Sequence, residues 1–132
     1  MRYLLDTNIC IHFLRGQYYL NEKIEKVGSQ NYALSEITLA ELVFGAENST
    51  DPSQNLKTIE HFTSQIAILP ILDAIPIYAK EKVRLRKLGL MISDFDLLIG
   101  TTAIAYDFVM VTENIKEFER IKGLKTENWI KR

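Results

Sequence analysis

Thiols are nearly absent from this chain. One cysteine, Cys10, stands among 132 residues, so no intrachain disulfide braces the fold and nothing ties it to an oxidising compartment. Long apolar runs are missing too, since none approaches the ~20 residues that cross a bilayer. Arg2 is followed by an apolar stretch, but Asp6 and His12 interrupt it before it reaches the length of a secretory leader. These absences lead to the expectation of a cytoplasmic protein with no membrane association. A surplus of charge is also lacking. Sixteen Lys and Arg against seventeen Asp and Glu leave a net charge of −1, which does not advertise a nucleic-acid binder. There are no internal repeats, low-complexity tracts or Gly-rich phosphate loops. His12 and His61 lie far apart in sequence and neither has a partner nucleophile, which leaves little support for a metal-free ribonuclease built on paired histidines. Ser35 and Ser93 lack a nearby base.

What is present is ordinary for a globular protein, with 47% hydrophobic and 25% charged residues. The length fits a single domain over residues 1–132. Short β-friendly segments fall at residues 2–5, 32–35, 67–72 and 108–112, with a further short strand near 124–126. Helical spacing or helix boundaries mark 9–14, 20–27, 38–46 and 56–66. Asp73 is a candidate cap for a long helix ending at Gly89, and Ser93 or Asp94 opens another through Ala105. This rhythm predicts an α/β fold in three layers, with a central, mostly parallel sheet of four or five strands flanked by helices. Such sheets place their sites at the carboxyl ends of the strands, where the strand order reverses.

Acids fall at those positions. Asp6 directly follows the first strand. Glu41 lies a turn into the helix after the second, and Asp96 a turn into the helix before the fourth, which ends in Thr112-Glu113-Asn114. Each has a plainer reading. Asp6 suits a helix cap, Thr38-x-x-Glu41 matches a capping box, and Asp94 and Asp96 suit the positive end of a helix dipole. Asp96 is preferred over Asp94 because it aligns with Gly100 on the packed side, which leaves Asp94 as cap and surface residue. Converging carboxylates repel one another, by roughly 4 kcal/mol for a pair ~4 Å apart at an effective dielectric of 20. They call for a hard cation such as Mg²⁺ or Mn²⁺.

Leu4-Leu5-Asp6-Thr7-Asn8, Ile37-Thr38-Leu39-Ala40-Glu41-Leu42-Val43-Phe44-Gly45-Ala46, Asp94-Phe95-Asp96-Leu97-Leu98-Ile99-Gly100 and Val111-Thr112-Glu113-Asn114 occur in that order. They are followed by Lys116-Glu117-Phe118-Glu119-Arg120-Ile121, Gly123-Leu124 and Glu127-Asn128-Trp129. The ordered set resembles the PIN-domain ribonucleases, specifically the VapC-type toxins, over essentially the whole chain. The resemblance implies that Asp6 and Asp96 are the principal metal-binding acids and that Glu41 helps complete the site. Thr112 and Asn114 would be polar positions near the metal, with Thr7 and Asn8 in support. Asn114 stands where the wider family often has a fourth acid, which implies one strong metal site. The implied activity is Mg²⁺-dependent hydrolysis of structured RNA such as tRNA, with Mn²⁺ as a substitute. The implied partners are a VapB-type antitoxin, with its tail in an apolar groove of the first and 56–66 helices, and a second copy of the chain in a homodimer.

Two alternatives stand beside this reading. One is a PIN fold that binds RNA or a partner without cutting. The other is a receiver-like signalling module phosphorylated on Asp73, although Asp6 lacks a paired acid and the fourth strand ends without a lysine. A haloacid-dehalogenase type of phosphotransferase would need a second acid where Asn8 stands. Basic residues cluster in Lys80–Lys87 and in the last seventeen residues, either as solvated faces or as phosphate contacts. Arg15, Lys82, Arg86 and Lys116 are candidates to steer RNA. If they do, cleavage is expected to fall steeply as salt rises from about 50 to about 200 mM, and a flat response would remove them from the substrate path.

Overall fold

A computed structural model describes residues 1–132. Its five strands are β1 (Tyr3–Leu5), β2 (Tyr32–Ser35), β3 (Ala67–Leu69), β4 (Val109–Val111) and β5 (Thr126–Glu127). They form one sheet in the order β3-β2-β1-β4-β5, with every pairing parallel. The chain lays strands to one side of β1 and then crosses to the other, so the order reverses between β1 and β4. That is where a doubly wound sheet opens a crevice for a site.

Strand side chains alternate between two cores. Leu5, Leu34 and Val111 pack against α1 (Thr7–Leu14), α2 (Leu20–Val27), α3 (Glu36–Glu47) and α4 (Pro52–Thr63). Leu4, Ala33 and Met110 face the other way, onto α5 (Ile75–Leu88), α6 (Asp94–Tyr106) and α7 (Ile115–Phe118). The period of two in the strands therefore produces the three layers. Burial on both faces explains why these strands read as unbroken apolar runs.

The boundaries follow local chemistry. Asp51 caps α4 by accepting from the Gln54 N–H, and Pro52 occupies the first turn. α5 stops at Gly89, whose φ of 70° suits a residue without Cβ. Several sequence expectations change. The third strand ends at Leu69, before Pro70, because it is a sheet edge and proline cannot continue the ladder. Asp73 does not cap α5; it lies in a 3₁₀ turn, Leu72–Ala74, and α5 starts from Ala74 without a side-chain cap. α3 begins at Glu36, capped by the Ser35 hydroxyl, rather than at Thr38. Ser93, not Asp94, caps α6. The last strand sits at Thr126–Glu127, and α7 is an element that the sequence pattern does not predict.

α7 is only four residues long and is anchored by its own last residue and the turn beyond it. Phe118 and Ile121 are buried against α6 at Gly100, where an added Cβ would stand 2.5 Å from Ile121 Cδ1. Gly100→Val should therefore cost about 1–3 kcal/mol in urea unfolding. An unchanged midpoint would show that the contact yields freely.

Candidate active site

Asp6 leaves β1 with its backbone still in the sheet, its N–H donating to the Val111 carbonyl at 2.9 Å. Its carboxylate then does two things. One oxygen accepts from the Thr7 N–H at 2.8 Å, the helix-cap role. The other accepts from the Thr112 hydroxyl, also at 2.8 Å, across the gap between β1 and β4. Thr112 is fully buried, its N–H held by the Glu127 carbonyl of β5 and its hydroxyl also accepting from the Asn114 N–H at 3.0 Å. Three neighbouring strands thus fix one carboxylate, which is 6% exposed.

Glu41 comes from α3. With Ser35 as the cap, Glu41 lies too far along the helix to close a capping box, so its carboxylate is free for other partners. The Thr7 hydroxyl donates to it at 2.7 Å and stands 3.1 Å from the Thr38 hydroxyl. Asp96 comes from α6, where its N–H donates to the Ser93 cap at 3.2 Å. Asp94 is turned away, paired with Lys82 at 2.8 Å and hydrogen-bonded by the Tyr78 hydroxyl.

A fourth acid joins these three. Glu117 of α7 lies close enough to Asp96 to raise its proton affinity, and it accepts from the Asn114 side-chain amide at 2.5 Å. Its placement depends on the segment behind it. Glu81, buried in α5, accepts twice from Arg84 at 2.8 Å and once from the Lys122 N–H at 3.1 Å. Arg84 in turn donates to the Arg120 carbonyl at 2.7 Å. Arg84 beside it holds the Glu81 carboxyl below the usual range. Sequence reasoning missed Glu117. The Asn114-x-x-Glu117 spacing was its signal, and it is legible only once a helical turn is known to begin there.

The electrostatics are those of uncompensated acids. Burial pushes the Asp6 carboxyl up, against the hydrogen bonds from Thr112 and Thr7, and the charges of Glu41 and Glu117 push the same way. Asp96 is raised to about 7, first by burial, then by its hydrogen bond with Glu117 and by the charges of Asp6 and Glu117. The three ion pairs of the protein lie elsewhere, so no cationic side chain is paired with this cluster. The donor set is all oxygen, as a hard divalent cation prefers. No three of the acids yet converge as tightly as a metal's ligand shell.

The other sequence candidates are spread out. Asn8 is exposed and hydrogen-bonds to none of the acids. Arg15 lines a hollow of about 270 Å³ that Glu41 also borders. Lys82 is occupied by Asp94. Arg86 is exposed on the last turn of α5, and Lys116 is exposed one residue before Glu117.

A crevice at a topological switch point, rimmed by acids from separate segments, defines a class of hydrolytic site. The model of the PIN domain matches residues 3–124. The chain is 40% identical to Ribonuclease VapC2 of Rickettsia felis, with 99% of this chain and the whole relative covered. It is 34% identical to the tRNA(fMet)-specific endonuclease VapC of Shigella flexneri, over 98% of each chain. Among solved structures it resembles VapBC2 from Rickettsia felis bound to a promoter DNA fragment. The TM-score is 0.91 at 36% identity, with 98% of this chain and 99% of that one covered. This chain belongs to the PIN-domain family, within its VapC ribonucleases.

The raised Asp96 carboxyl predicts a pH dependence. The folded protein keeps that proton between about pH 4 and about 7, where the unfolded chain has lost it, so stability falls as pH rises through this window. In EDTA, Asp96→Asn should match the parent near pH 4. It should exceed the parent near pH 8 by on the order of 1–2 kcal/mol, after allowing for screening at a partly exposed group. Parallel stability profiles for the two proteins would count against the raised carboxyl.

Proposed function

We propose that this ribonuclease is Mg²⁺-dependent, that it cuts structured RNA of the tRNA type, and that it is the toxin of a toxin–antitoxin pair acting in the cytoplasm to inhibit translation. The observation that carries the metal requirement is the cluster of Asp6, Glu41, Asp96 and Glu117, in which Asp6 and Asp96 have raised proton affinity and none of the protein's ion pairs takes part. Asp6 and Asp96 are the residues to hold the cation, with Glu41 and Glu117 completing the oxygen set. When bound, the ion would orient and acidify a water and stabilise charge on the phosphoryl oxygens.

The chain's own groups do the remainder. Thr112 and the Thr7 N–H hold Asp6 in one rotamer, a positioning that hydrolysis requires to within about 1 Å. Thr7 aims Glu41 at the crevice, where Glu41 positions the attacking water or takes its proton. In-line attack then leaves a 5′-phosphate and a 3′-hydroxyl. Asn114 stands at the position where the wider family often carries an acid. Here its amide binds Glu117, which brings a carboxylate to the site from the next turn.

The substrate class rests on the tRNA(fMet) specificity in the name of the Shigella flexneri relative. The partner rests on the VapBC complexes among the structural neighbours. A VapB-type antitoxin would lay its tail along the groove between α1 and α4, lined by Phe13, Leu14 and Phe62, and a homodimer is the expected assembly of the toxin.

The test is cleavage of a labelled tRNA pool with Mg²⁺ or EDTA, beside Asp6→Ala and Asp96→Ala. Loss of about 100-fold or more in each variant, and in EDTA, is the expected result. Cleavage that survives EDTA and both substitutions would remove the metal mechanism and this site together.

A further inference from the structure

A further hollow lies between α2 and the segment that follows β5. It has a volume of about 570 Å³, and its walls carry Tyr18, Tyr19, Lys23, Lys26, Trp129 and Lys131. Two links join it to the carboxylate cluster. The Glu127 carbonyl on its wall holds the Thr112 N–H, and Thr112 holds Asp6. Arg132 pairs with Glu113, the neighbour of Asn114, while its guanidinium lies 5.0 Å over the Tyr18 ring.

Three features point to a nucleotide. First, Tyr18 and Tyr19 are consecutive non-glycine residues in the left-handed region, with φ of 58° and 56°. That backbone is costly, and held outliers of this kind mark functional surfaces more often than chance placement does. Second, the turn presents the Tyr19 ring to solvent at 78% exposure. Tyr18 is already engaged by His12 and Arg132, whereas no ring or cation stacks on Tyr19 and its hydroxyl makes no hydrogen bond. Third, Lys23 and Lys26, one turn apart on α2, converge with Lys131 on the same hollow. Three lysines face two carboxylates, Glu22 and Glu127, so the hollow keeps a positive excess, and Glu127 is held by the Trp129 indole N–H at 2.9 Å. An exposed aromatic face beside a cationic groove is how proteins grip single-stranded nucleic acid.

We propose that this hollow is a subsite for an unpaired nucleotide of the RNA flanking the scissile bond. The base stacks on Tyr19, and the backbone phosphates pass between Lys23, Lys26 and Lys131. The proposal rests on the ribonuclease reading but not on the metal mechanism. It also assigns strand contact to residues other than Lys82 and Arg86, which lie on α5.

The experiment is binding of a labelled six-nucleotide RNA of mixed sequence, too short to fold, followed in EDTA by anisotropy. Emission of Trp129, the only tryptophan of the chain, is recorded in parallel. The parent protein should bind with a change in Trp129 emission. Tyr19→Gly, which relieves the left-handed strain while removing the ring, should weaken binding about tenfold without loss of thermal stability. Tyr19→Phe should bind as the parent does. Replacing the three lysines with Ala should reduce the salt slope by about two. Unchanged affinity in Tyr19→Gly would overturn the subsite, as would saturation that leaves Trp129 emission unaltered. Either result would leave the dependence of cleavage on Asp6 and Asp96 standing. Conversely, cleavage that persists in EDTA would remove the metal mechanism while leaving this binding result intact.

Discussion

The hydroxyl of Thr112 donates to Asp6 across the point where the strand order reverses, and the geometry of the crevice hangs on that bond. On one side it fixes the acid that opens α1. On the other it depends on β4 and β5 being in register, because the Glu127 carbonyl holds the Thr112 backbone. A buried carboxylate without such donors would be protonated or turned toward solvent. With them Asp6 stays in place at 6% exposure, and the remaining acids are arranged around a fixed reference. The cost is electrostatic. Burial and the neighbouring carboxylates raise the proton affinity of Asp6 and Asp96, and none of the protein's ion pairs offsets them.

Much of this was legible because the site obeys two simple periodicities. Strands buried on both faces gave unbroken apolar runs, and those of β1 and β4 ended in Asp6 and Thr112, which now line the crevice. The caps were harder. Asp94 and Thr38 looked like helix starts because their residue types suit that role, yet Ser93 and Ser35 took it. Propensity does not choose among adjacent candidates one to three residues apart. Asp73 failed as a cap because the 3₁₀ turn before α5 leaves no room for one. In each case the error concerned a boundary, and the alternation of strands with helices around a parallel sheet survived it.

Glu117 lay beyond that kind of reasoning. α7 is too short to show periodicity, and it has no stability of its own. Its position is dictated by tertiary contacts far away in sequence, including the Glu81–Arg84 pair, the Arg120 carbonyl and the absent Cβ at Gly100. The basic residues show the same limit from the other side. Sequence runs of lysine and arginine drew attention to α5, where Lys82 is neutralised by Asp94. The lysines that share a hollow with the exposed Tyr19 ring come from two separate segments, and only Lys131 belongs to a basic cluster seen in the sequence.

The bond between the Thr112 N–H and the Glu127 carbonyl also sets a schedule. Asp6 is translated 106 residues before Thr112, and Thr112 in turn is supported by a strand made fifteen residues later still. A chain still being translated therefore carries its acids but not the frame that aims them. For an enzyme that destroys RNA, this keeps the nascent chain without an aimed site until β5 has emerged and docked.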